Sequence, residues 1–196
     1  LPLGRAIGLL LGWRMTFACV GAVALGILAY LAAATPRLAA GKPFSPRELP
    51  TLFAAPALRN IYVVTALFAT AHFTCYSYIE PFLQQVAHFP DDLITLTLVL
   101  YGAAGMAGSA LLSRTYGRMR FPLMRAVVIG VAASMALLLA TAASAAATVA
   151  VCALWGACYT AYNVAFQSEV LANSTEDASA VAMSAYSGIF NLGIGS

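Results

Sequence analysis

Long apolar runs follow one another along this chain with little between them, at about 1–12, 15–34, 58–83, 93–113, 123–143, 146–167 and 178–196. A helix rises 1.5 Å per residue, so about 20 residues cross the roughly 30 Å of hydrocarbon in a bilayer. Five of the runs are long enough for that. Hydrophobic residues make up 62% of the 196 positions and charged residues 9%, too few polar groups to coat a water-soluble particle of this size. The fold class this implies is an all-α polytopic membrane protein. The first run is short, the last reaches Gly195-Ser196 without a polar boundary, and Leu1 is not an initiator methionine. The chain therefore reads as an internal fragment with a span cut at each end.

Charge gives the topology. Arg37, Lys42, Arg47 and Arg59 lie in or beside the connection 35–57, and Arg114, Arg118, Arg120 and Arg125 surround the connection near 114–122. Two spans separate these connections, so both lie on one side, which the positive-inside rule makes cytoplasmic. The connection 84–92, with Asp91 and Asp92, then falls outside. The rival use of these arginines is a nucleic-acid patch; short basic loops beside spans serve topology instead, and no nucleic-acid partner is expected. Pro36, Pro43, Pro46, Pro50 and Pro56 keep 35–57 out of a continuous helix. This stretch reads as a linker between the end of one helix bundle, 1–34, and a second bundle, 58–196.

A polar stripe interrupts the third run. In AHFTCYSYIEPFL, residues 71–83, His72, Tyr76 and Glu80 recur at steps of four, which stacks them on one helix face. Ionisable groups inside a membrane are costly, so such a face is expected to line a cavity or pathway rather than lipid. Counted from Asn60, His72 lies about 18 Å along the span, near the midplane, and Glu80 about 30 Å along, near the outer mouth. A histidine exchanges protons in the physiological range and also hydrogen-bonds hydroxyls, while its bland alternative is a satisfied packing residue. Glu80 is either a functional carboxylate or a solvated rim residue. Pro81, which follows it, removes a backbone donor and can bend the helix near an outer gate.

Neutral polar groups repeat the pattern further on. Tyr159, Asn163 and Gln167 share a four-residue step, with Trp155 and Tyr162 nearby; Ser184, Ser187 and Asn191 share a face of the last run. Phenols, amides and indoles suit a hydroxyl-rich ligand with an apolar ring face. Hydrogen bonding between helices is the competing use. Gly4, Gly8 and Gly12 recur every four residues around Arg5, and Gly102, Gly105, Gly108 and Ser109 mark a second surface for close helix approach. Arg5, about 12 Å below the outer boundary, is either a cavity cation or a structural ion-pair partner.

LPLGRAIGLLLGWRMTF at 1–17, AHFTCYSYIEPFLQQV at 71–86 and AYSGIFNLGIGS at 185–196 resemble the sugar efflux transporters of the major facilitator superfamily, within its bacterial drug and sugar proton antiporters. The resemblance implies two six-helix halves around a central cavity and alternating access. It places this chain from the fifth to the eleventh transmembrane helix, and puts Gly4, Gly8 and Gly12 in the antiporter motif of the fifth. SRTYGRMR at 113–120 loosely resembles the superfamily's loop between paired helices, but has Ser113 where an aspartate is expected, so a charge-mediated latch there is not expected.

Cys19, Cys75, Cys152 and Cys158 fall within spans with no metal-binding spacing, and neither His72 nor His88 has a second ligand at metal distance in sequence. GxSxG, HExxH and phosphate-loop patterns are also missing. No catalytic residue, metal or cofactor is expected. The resemblance implies a secondary transporter of the bacterial inner membrane whose partners are lipid, a sugar-like solute and protons; efflux of drugs or other small metabolites on the same fold is the alternative.

Overall fold

The computed structural model describes residues 8, 12–35, 53–175 and 178–195. The described residues form helices and no strand: α1 Trp13–Ala34, α2 Pro56–Ser77, α3 Ile79–Gln85, α4 Asp91–Thr141, α5 Ala145–Ala172 and α6 Ser179–Gly195. The chain divides into two compact units, Leu1–Pro43 and Phe44–Ser196.

In the first unit, α1 is apolar all round and buries no residue. A helix with no polar face finds its matching solvent in hydrocarbon. Gly12, which precedes it, has φ 85°, a conformation open to glycine at little cost. Its neighbour Gly8 faces Thr16, whose hydroxyl lies 3.6 Å from where a Cβ would stand.

In the second unit, prolines decide where the expected spans break. The run 58–83 is divided: α2 ends at Ser77, Tyr78 leaves helical geometry at φ −101° and ψ 2°, and α3 resumes at Ile79. Pro81 has no N–H to offer the Ser77 carbonyl four residues back, and its ring crowds that carbonyl. The stretch 114–122, expected to be a connection, is helical on both sides of a single bend. Only Met119, at φ −132° and ψ 38°, departs from helix within α4, and Pro122 follows three residues later. Thus α4 is two arms, 91–118 and 120–141.

Among the described residues, α1, α4 and α5 are long and apolar enough to cross a membrane. α4, at 51 residues, has length for both spans expected within it. α2 is 22 residues long but carries Arg59, Asn60, Thr65, Thr70, His72 and Thr74, and α6 is only 17 residues long. Of the five expected spans, 15–34, 93–113, 123–143 and 146–167 fall within α1, α4 and α5, and only 58–83 is divided, at Tyr78.

Helices in lipid gain little from hiding apolar surface and associate through close packing. α4 and α5 meet backbone to backbone. A Cβ on Gly156 would stand 2.1 Å from the Tyr101 carbonyl oxygen, and one on Gly108 would stand 2.4 Å from that of Ala157. Gly105 is equally confined, against Thr160. Gly102 faces open space, so the close packing expected there is not made to any described neighbour. α2 meets α6 at Gly193 against Ala69, and the Tyr62 hydroxyl donates to the Ala182 carbonyl at 3.2 Å. Two apolar cores result. One gathers Leu58, Leu112, Val127, Phe166 and Val181 at the arginine-rich end; the other gathers Leu83, Ile94, Leu98, Leu138 and Trp155 at the opposite end.

Candidate solute-binding site

Phe68 packs against both cores, and the ring cluster that continues from it is built around His72. The α2 face Phe68, His72, Tyr76 meets the α5 face Trp155, Tyr159, Tyr162. The imidazole lies flat on the Tyr159 ring, centroids 3.7 Å apart and planes 3° apart, with Tyr76 stacked beyond at 5.7 Å. Phe68 stacks on Tyr162 at 3.5 Å, and Phe73 reaches His72 edge-on at 5.0 Å. His72 is 1% exposed.

Trp155 determines the chemical form of that imidazole. Its indole N–H donates to His72 Nδ1 at 3.2 Å. Indole nitrogen is a donor only, so Nδ1 must be the acceptor and the ring proton resides on Nε2. In this arrangement His72 is a neutral hydrogen-bonding ring. Placing a second proton on Nδ1 would aim one N–H at another.

The other expected site residues are distributed unevenly. Tyr76 and Tyr159 are half-buried beside His72, and Asn163 lies one turn on, its amide donating to the Tyr159 carbonyl at 3.1 Å. Glu80 does not continue the stripe: it is exposed on α3, beyond the break at Tyr78, while His72 is buried. Asn191 is exposed on α6 and its amide donates to the Ser187 carbonyl at 2.8 Å; its neighbour Phe190 reaches Phe73 edge-on at 5.8 Å. Arg5 and Gly4 lie outside the described residues.

A second polar cluster sits at the bend of α4 and carries no motif in the sequence. Glu169 of α5 is 4% exposed. Its carboxylate accepts two parallel N–H groups from Arg120 and the hydroxyl proton of Tyr116. Asn173 adds an amide donor at 3.3 Å. Tyr116 precedes Met119 and Arg120 follows it, so one carboxylate holds both arms of α4 to α5. The charge contact not expected at 113–120 therefore forms, through Arg120 rather than through the position of Ser113. The available signal was that Glu169 is the sole acidic residue between Asp92 and Glu176.

Helices long and apolar enough to cross a membrane, with polar clusters enclosed between them, fit a polytopic membrane protein, and a family comparison decides which kind. The family model described as Major Facilitator Superfamily matches residues 1–196. The chain belongs to this superfamily. As a superfamily member it is a membrane-embedded secondary transporter of small molecules.

Proposed function

We propose that this superfamily member exports sugars or similar small hydroxylated solutes across a bacterial inner membrane by alternating access, in exchange for protons. The supporting observation is the neutral ring cluster around His72, with Trp155 fixing the imidazole by a 3.2 Å hydrogen bond. Flat aromatic faces match the apolar face of a sugar ring, while phenols, the imidazole and the Asn163 amide offer uncharged donors and acceptors for its hydroxyls. His72, Tyr76, Tyr159 and Asn163 bind solute in this reading. Asn191 contributes from α6, and Arg5 is a further solute- or proton-handling group. Protonation of Glu80, of His72 or of another acid biases solute binding as the two halves rock. Gly4, Gly8, Gly12, Gly105 and Pro81 serve packing and gating in this reading, whereas Gly102 packs against no described neighbour. No catalytic step is involved.

The density of rings, with Phe68, Phe73 and Phe190 in one contact chain, equally suits a flat amphipathic drug, which is the second reading. Full-length protein in proteoliposomes under an imposed proton gradient separates the two. The first reading expects flux of a labelled sugar, collapse of that flux on dissipating the gradient, and a loss of tenfold or more in H72A with membrane insertion unchanged. Flux of a lipophilic cation with none for any sugar tested would replace it by the second.

A further inference from the structure

Tyr101 belongs to neither polar series of the sequence, yet it stands in the same ring cluster. Its ring lies 5.5 Å from Tyr76 and 5.7 Å from Trp155, perpendicular to the latter at 89°. His72 flanks the same two rings at 5.7 and 5.4 Å. Imidazole and phenol thus share one pair of neighbours, Tyr76 from α2 and Trp155 from α5.

The Tyr101 hydroxyl is enclosed and makes no hydrogen bond. Buried polar groups in proteins are nearly always paired, and a phenylalanine would fill the same ring space without an orphaned oxygen. An unpaired hydroxyl at this position is accounted for when its partner arrives in another state of the protein. The Tyr186 hydroxyl has Thr65 beside it, and its ring contacts Phe190 and none of His72, Tyr76 or Trp155.

The backbone shows which parts can separate to admit such a partner. The Tyr101 carbonyl is pressed against Gly156 so closely that no Cβ fits between them. Tyr101 and Trp155 therefore travel together on the α4–α5 pair. His72 and Tyr76 meet that pair through side chains: ring stacks and one hydrogen bond. Stacked side chains part more readily than interlocked backbones.

We propose that Tyr101 is a specificity-determining residue, whose hydroxyl pairs with a hydroxyl of the transported solute when α2 moves off the α4–α5 pair and the solute enters beside Tyr76. The proposal rests on the reading of the cargo as a hydroxylated solute. In the closed arrangement the orphaned oxygen disfavours the empty site. In the loaded arrangement it discriminates, because a site built around a hydroxyl rejects analogues that lack one.

The test uses full-length protein in detergent, wild type and Y101F, with equilibrium binding of labelled D-glucose, D-galactose and maltose and a thermal melt of the sugar-free protein. The expected result is binding of at least one sugar by wild type, weakened tenfold or more in Y101F, with a sugar-free melting midpoint equal to or above that of wild type. Unchanged affinity in Y101F overturns the role of Tyr101 and leaves the sugar reading standing. A sugar-free Y101F midpoint several degrees below wild type shows that the hydroxyl has a structural partner, and also overturns it. Binding of none of the three sugars to wild type removes the sugar reading and this proposal together.

Discussion

Trp155 on α5 donates its indole proton to Nδ1 of His72 on α2 at 3.2 Å, joining residues 83 positions apart. This bond, enclosed between the helices, gives the imidazole a single tautomer and a single orientation. The Tyr159 ring stacks on His72 at 3.7 Å and Tyr76 at 5.7 Å, both nearly parallel to the imidazole.

Substituting Trp155 by Phe keeps an aromatic ring but removes the donor and part of the volume. The lost hydrogen bond and incomplete filling together are expected to cost about 1–3 kcal/mol of stability. Solute flux should fall further than a stability change of that size explains, because the imidazole loses its fixed tautomer. Thermal melts alongside flux in proteoliposomes check both; full flux in W155F would show that the tautomer is irrelevant to transport.

The Glu169 clamp makes a different forecast. E169Q retains shape while removing the charge that Arg120 and Tyr116 address. Hydrogen bonds to a charged partner contribute about 1.5–3 kcal/mol, and Arg120 is partly exposed, so a loss of about 1–2 kcal/mol is expected. Y116F should lose less. Spin labels on the two arms of α4 should report a broader distance distribution in E169Q, and an unchanged distribution would mean that Pro122 alone sets the bend.

Two glycines in similar sequence settings should behave oppositely. G156A forces a methyl group against the Tyr101 carbonyl, where ideal placement leaves 2.1 Å, and backbone cannot yield as a side chain can. Separating the helices is expected to cost about 1–3 kcal/mol and to displace Tyr101 from the ring cluster. G102A meets nothing within 4 Å and should be neutral. Equal melting midpoints for the two variants would contradict the backbone contact between α4 and α5.

Several of these features are readable from residues alone. The apolar runs place the helices to within a few residues, and the arginine distribution marks the end where Leu58, Leu112 and Val181 share a core. His72, Tyr76 and Tyr159 stand out as polar groups at helical spacing in apolar surroundings. Glu80 fits the same spacing but leaves the face, because Pro81 breaks the helix before it. Gly102 and Gly156 illustrate the limit more sharply: both are helical glycines among small residues, and only the neighbouring helix tells one from the other.

By itself the sequence determined that this protein is a set of helices apolar and long enough to cross a membrane, with a polar face on α2, because length and hydropathy act locally and need no partner. Tertiary structure alone decided that Trp155 fixes His72, that Tyr101 is left with an unpaired hydroxyl, and that Glu169 binds both arms of α4. Each of these depends on distances between residues far apart in the chain, and helical spacing carries no information about which face of one helix will meet which face of another.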